Sequence, residues 1–189
     1  MNMKSEVAFD WLFLAGVGNS GPTHWQRHWE AEHPNTLWLE HRDWDSPSRD
    51  EWVGELQQLL STHQRPVVVI AHSLGCLLLL EWAAEYAPAT DKVLGAFLVA
   101  VPDPRSARFP QEATGFRPAE DLPCRLPLTI AASENDPYGA MEYVQHSARQ
   151  LGCEYVNFGA LGHINSKSEL GYWQPGFSLL QDFTRSLMA

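Results

Sequence analysis

An α/β fold with a parallel sheet is predicted by three features of the sequence. Short apolar runs alternate with helix-length amphipathic segments along the whole chain. Two of those runs, PVVVIA (66–71) and VLGAFLVAV (93–101), are apolar almost throughout, as strands covered by helices on both faces must be. The first of them leads directly into a segment, Leu74 to Tyr86, that is apolar nearly all round and charged only at Glu81 and Glu85, the pattern of a central helix.

In chain order the expected strands are Val7 to Ala15, Thr36 to Leu39, Pro66 to Ala71, Val93 to Val101, Leu126 to Ala132 and Glu154 to Phe158. Helices fill the gaps. Pro22 and Pro175 stand where a helix can begin, because proline in the first turn sacrifices no intrahelical bond. Ser48 and Glu51 have capping-box spacing, and Trp52, Val53, Leu56, Leu59 and Leu60 after them mark one buried face. Met141, Val144, Ala148 and Leu151 form a second such face, and Phe177, Leu180, Phe183 and Leu187 a third. The 24 residues from Pro102 to Arg125 keep neither period and read as a long excursion at one end of the sheet, too short for a large lid domain.

The 189 residues fit a single domain, 1–189, large enough to bury a core without disulfides or a structural metal. With 13 basic and 23 acidic residues, the net charge of −10 argues against a nucleic-acid or anionic-membrane partner. No stretch approaches the roughly 18 uninterrupted apolar residues of a membrane span. Asp10 breaks the apolar run near the N-terminus, which makes a poor signal peptide. Cys76, Cys124 and Cys153, an odd number at wide spacing, indicate neither a disulfide framework nor a zinc ribbon and favour a cytoplasmic setting. Eight tryptophans are many for this length and need a use, in packing or in a ligand cleft.

The chemistry centres on Ala71-His72-Ser73-Leu74-Gly75, between the strand PVVVIA and the apolar helix. A nucleophile on such a turn has a strained backbone, and the residues two before and two after it must be small for strand and helix to approach. An ordinary strand-to-helix turn capped by serine is the bland alternative. Serine needs a base, and the base an orienting carboxylate. Asp136 follows the fifth strand and His163 the sixth, so both reach the sheet edge that carries Ser73. Asp136 also reads as a helix cap before Pro137, with Glu134 as the rival acid, and His163 as part of a glycine-flanked surface loop. An oxyanion hole would take the backbone N–H of Leu74 and a second from Val17 or Gly18 in the loop after the first strand.

That loop lacks the pattern of a dinucleotide site, and no P-loop motif is present. His24 and His28 have a zinc-compatible spacing without a third ligand, so neither metal nor cofactor is expected. His72 reads as structural or cleft-lining. Trp25, Trp44, Phe109, Phe116, Tyr172 and Trp173 fall in or beside loops that could ring a substrate cleft.

Taken together, Gly16-Val17-Gly18-Asn19-Ser20 with His24-Trp25, Asp43-Trp44, the serine turn, Asn135-Asp136-Pro137 and Gly162-His163-Ile164-Asn165 resemble the small serine hydrolase family that includes the retinoblastoma-binding serine hydrolase. The resemblance runs over nearly the whole chain. It implies a compact α/β-hydrolase fold of six parallel strands in the order 2-1-3-4-5-6, helices on both faces and no large lid, with a triad of Ser73, Asp136 and His163. Two departures stand out: Ala71 replaces the first glycine of the serine turn, and Leu151-Gly152-Cys153-Glu154 misplaces the acid of a Leu-x-Cys-x-Glu motif, so retinoblastoma binding does not carry over.

The expected activity is hydrolysis of small esters, or amides or thioesters, through an acyl-enzyme, with Asn19, His24, Trp25, Trp44 and Phe116 near the substrate. A catalytically weak scaffold serving as a protein-interaction module is the alternative.

Overall fold

The computed structural model describes residues 9–86 and 91–189. Its sheet holds six strands, β1 (Asp10–Leu14), β2 (Thr36–Trp38), β3 (Val67–His72), β4 (Val93–Val99), β5 (Leu128–Ala132) and β6 (Glu154–Asn157). They are all parallel, in the expected order β2-β1-β3-β4-β5-β6. Among the described residues five α-helices connect and follow them: α1 (Trp25–Glu32), α2 (Arg49–Thr62), α3 (Leu74–Tyr86), α4 (Met141–Leu151) and α5 (Gln174–Leu187). Residues Val7 and Ala8 of the expected first strand lie outside the described residues.

Side chains alternate along each strand, so the two faces of the sheet build two cores. Val67, Val69 and Ala71 of β3 face a core shared with α2, α3 and α4, while Val68 and Ile70 face one shared with α1 and α5. All six residues of β3 are buried, and α3 buries every residue from Leu74 to Ala83. Each such leucine contributes about 1.5–3 kcal/mol by leaving water. Most of the tryptophans are used in packing. Trp25, Trp29, Trp52 and Trp82 are among the largest fully buried side chains, and Trp173 stacks on Trp29 at 5.9 Å.

One helix start and one helix cap differ from expectation. α1 begins at Trp25 rather than at Pro22, with the His24 Nδ1 accepting the Gln26 N–H at 3.1 Å as its cap. α2 starts after Ser48 as expected, yet the Ser48 side chain makes no capping bond. Ser48 is instead bridged to Thr114, and the Arg49 N–H donates to the Thr114 carbonyl at 2.9 Å, so the excursion is stitched to the start of α2.

Within the excursion only Ala119–Asp121 is regular, a single 3-10 turn. Glu81 of α3 anchors it. Its buried carboxylate accepts from the Arg117 N–H at 2.8 Å, from Arg117 Nη2 at 2.7 Å and from Arg49 Nε at 3.1 Å. Burial pushes the Glu81 carboxyl up, but the bonds from the two arginines outweigh it, and its pKa falls below the ordinary value.

Candidate active site

The loops after β1, β3, β5 and β6 converge at the carboxyl edge of the sheet, where parallel folds of this kind place their sites. Ser73 alone separates β3 from α3, and its φ of 55° is in the left-handed region, the backbone strain expected of this turn. The turn is possible because Gly75 has no side chain: a Cβ there would lie 2.4 Å from the Leu14 carbonyl oxygen. Gly16 is constrained likewise, since its Cβ would fall 2.9 Å from the Ser73 Cβ. Ala71 is fully buried, so the smallness demanded at that position is met without glycine.

Ser73, His163 and Asp136 form one hydrogen-bonded line. The Ser73 Oγ stands 2.7 Å from the His163 Nε2, and the His163 Nδ1 stands 2.9 Å from both carboxylate oxygens of Asp136. Asp136 and His163 have side chains only 3% and 9% exposed, so this hydrogen-bonded contact is largely shielded from water. Asp136 also accepts the Tyr138 N–H at 2.9 Å, which turns its carboxylate toward the histidine. Glu134, the rival acid, is exposed and reaches Asn157 instead.

Neighbouring polar groups hold the two loops together. Asn135 Oδ1 accepts from the Ser133 Oγ at 2.9 Å and from the Gly162 N–H at 2.7 Å, and the Ser133 Oγ accepts from the Leu161 N–H at 2.9 Å. His72 donates from Nε2 to the His163 carbonyl at 2.9 Å. Burial pushes the His72 pKa well below its ordinary value, with His24 and His163 adding to the effect, so His72 is neutral. Burial lowers His24 in the same way, to about 3.

Of the two residues expected to offer the second oxyanion donor, Gly18 is committed elsewhere: its N–H donates to the Trp44 carbonyl at 2.9 Å. Val17 and Leu74 both line the cavity in front of Ser73, and Leu74, as the first residue of α3, has no intrahelical acceptor for its N–H. The cavity measures about 280 Å³. Its apolar wall comes from Val17, Leu74, Pro102, Phe109 and Pro110, so the excursion forms a roof.

Of the residues expected near substrate, Asn19 and His24 line this cavity, although the Asn19 Oδ1 is occupied by the Ser20 N–H and the Trp38 indole N–H. Three others lie elsewhere. Trp25 is 1% exposed and sits beneath the His163 loop, donating from Nε1 to the Ile164 carbonyl at 2.8 Å. Trp44 packs edge-on to His41 and Trp52, touching the site only through its backbone. Phe116 is buried against Trp52, with ring centroids 6.2 Å apart. Aromatic rings in connecting segments had no periodicity to reveal which side they face. Tyr172 and Trp173 likewise pack in the core around α1 and α5.

Gln26 went unread in the sequence. Fully buried on α1, it donates from Nε2 to the carbonyls of Leu14 and Ile70 and accepts the Ser20 hydroxyl, so it clamps the ends of β1 and β3. Its position beside the apolar Trp25 and Trp29 was the available signal.

A parallel sheet in this strand order, with a serine on the strained turn after its central strand, defines the α/β-hydrolase class. The chain belongs to the serine hydrolase family, whose model matches residues 11–182. It is similar to a YdeN-like hydrolase from Pectobacterium atrosepticum, at 28% identity and a TM-score of 0.80, covering 95% of this chain and 92% of that one. The ydeN gene product of B. subtilis shares the fold at 17% identity and a TM-score of 0.73, covering 94% and 100%. An esterase from Pyrococcus furiosus does so at 13% and 0.69, covering 96% and 82%. No curated protein matches the sequence.

Proposed function

We propose that the protein is a carboxylesterase-like serine hydrolase that cleaves small esters through an acyl-enzyme, with Ser73 as nucleophile, His163 as base and Asp136 as its orienting acid. The observation that carries this reading is the unbroken line Ser73 Oγ, His163 Nε2, His163 Nδ1 and Asp136 at 2.7 and 2.9 Å. His163 takes the hydroxyl proton as Ser73 attacks the acyl carbon, and Asp136 stabilises the imidazolium that results. The N–H groups of Leu74 and Val17 stabilise the tetrahedral oxyanion; Gly18 is passed over because its N–H is spent on Trp44. Collapse breaks the acyl–oxygen bond, His163 protonates the departing alcohol, and water then attacks the acyl-enzyme by the same route.

A 280 Å³ cavity with an apolar roof favours a short acyl group. The 189 residues act as one domain. Three unpaired cysteines support a reducing, cytoplasmic setting, and among the described residues no helix is long and apolar enough to cross a membrane.

The test is labelling with a fluorophosphonate, which forms a phosphorus–oxygen bond to an activated serine and releases fluoride. A single adduct on Ser73, lost in Ser73→Ala, is the expected result. Ser73→Ala and His163→Ala should each lower kcat by about 10⁴- to 10⁶-fold with little change in KM. Folded wild-type protein that takes no label would overturn the reading and leave an interaction module on a hydrolase scaffold.

A further inference from the structure

Lys167 stands where two hollows meet. It lines the cavity in front of Ser73 and also a second hollow of about 460 Å³ on the other side of His163, and the two share Tyr138, His163 and Asn165. Among the described residues no aspartate or glutamate lines either hollow, in a chain that carries 23 of them. Lys167 is exposed and, among the described residues, makes no ion pair. In a chain of net charge −10, this strip beside the proposed base, with an unpaired cation and no acid lining it among the described residues, is where an anionic group would be held.

The backbone under Lys167 is fixed relative to His163. Its N–H donates to Asn165 Oδ1 at 3.0 Å, the Asn165 N–H donates to the Ser168 Oγ at 3.2 Å, and the Ser168 hydroxyl donates to the Leu161 carbonyl at 2.6 Å. The lysine is thus carried on the same tied loop as the proposed base. Under the mechanism above, His163 must protonate the departing oxygen, so the leaving group lies against this loop while the acyl group occupies the space under Phe109 and Pro110.

We propose that the substrates are esters whose alcohol part carries an anion, a carboxylate or a phosphate, held by Lys167. The proposal rests on the esterase reading. The reaction is ordinary hydrolysis: the acyl–oxygen bond breaks, water supplies the hydroxyl of the released acid, and the alcohol departs with its anion intact.

The experiment compares kcat/KM for 2-acetoxyacetate, 3-acetoxypropionate and 4-acetoxybutyrate with their neutral amides, and for 2-acetoxyethyl phosphate with 2-acetoxyethanol. At least one anionic ester should exceed its neutral partner by about tenfold, Lys167→Met should bring that ratio to about one, and Lys167→Glu should reverse it. The carboxylate and phosphate arms tell which anion is taken. Equal rates for every anionic and neutral pair, or a preference that survives Lys167→Met, would overturn the proposal while the esterase reading stands. Failure to hydrolyse any ester, together with an unlabelled Ser73, would remove both.

Discussion

The Trp25 indole N–H donates to the carbonyl of Ile164 at 2.8 Å, so the first helix of the chain holds up the residue that follows the proposed base. Ile164 has a φ of 47°, a conformation a β-branched residue adopts only when its surroundings impose it. Trp25→Phe keeps an aromatic ring in the core but removes this bond. The expected result is a stability loss of about 1–2 kcal/mol by urea unfolding and a fall in kcat of about tenfold, with KM nearly unchanged. Unaltered kcat would mean that the loop holds its place without the indole.

Glu81 ties three segments that are far apart in sequence: its own helix α3, the start of α2 through Arg49, and the excursion through Arg117. Glu81→Gln keeps the shape and removes the charge opposite two arginines. A loss of about 2–3 kcal/mol is expected, because a buried charged network is broken from one side. The loss should shrink at low pH. The Glu81 carboxyl has a lowered pKa in the folded protein, so its contribution is complete above the ordinary carboxylate value and fades as pH falls below it. Since the excursion carries Phe109 and Pro110, the variant should also raise KM for short acyl esters. Thermal unfolding and an acyl-chain series would check both parts.

The fates of these residues show what the sequence makes legible. The central strands and the serine turn could be read because buried strands and a central helix are continuous apolar runs, whereas the strand order followed only from the family resemblance. Most strand ends shift by one or two residues: β3 runs on to His72, and β4 stops before Ala100, whose backbone turns left-handed at φ 55° although the apolar run continues to Val101. Asp136 and His163 were legible as positions at one edge, and the structure brings them within 2.9 Å. Trp25, Gln26 and Glu81 were not, because each owes its role to a partner 12 to 139 residues away, with no periodic signature. Pro22 misled as a helix start because the cap is a histidine, a residue outside the usual capping set.

That cap makes acid stability a test of the packing. His24 must keep Nδ1 unprotonated to accept the Gln26 N–H, and burial lowers its pKa to about 3; His72 is also held neutral. In the unfolded chain both histidines take protons near pH 6.5. Below that value the unfolded state binds protons that the folded state refuses, so stability should decline as pH falls from 6.5 toward 3. The slope is at most about 1.4 kcal/mol per pH unit for each histidine, and no decline from this source is expected between pH 8 and 7. Urea midpoints at pH 7.5, 6.5 and 5.5 would measure it, before most carboxylates titrate. The double variant His24→Asn, His72→Asn should flatten most of the slope; an unchanged slope would assign it to other groups.

Three glycine-to-alanine changes separate packing from chemistry. At Gly54, on the exposed side of α2, no atom lies within 4 Å of an added Cβ, so alanine should stabilise the helix by about 0.5–1 kcal/mol and leave activity alone. At Gly75 the new methyl would meet the Leu14 carbonyl oxygen at 2.4 Å, and backbone cannot swing aside as a side-chain tip can. Either α3 retreats from β1 or the Ser73 turn opens, so the variant should lose about 1–3 kcal/mol and label slowly with fluorophosphonate. Gly16 differs, because its Cβ would press on the Ser73 side chain, 2.9 Å from Cβ and 3.3 Å from Oγ, at the rim of the cavity. The loop after β1 can move outward there at small cost, but that motion would carry the Val17 N–H away from the proposed oxyanion position. Gly16→Ala should therefore unfold within about 1 kcal/mol of wild type and yet react with fluorophosphonate about a hundredfold more slowly, the loss typical of one oxyanion donor. A Gly16→Ala protein as reactive as wild type would show that the second donor comes from elsewhere than this loop.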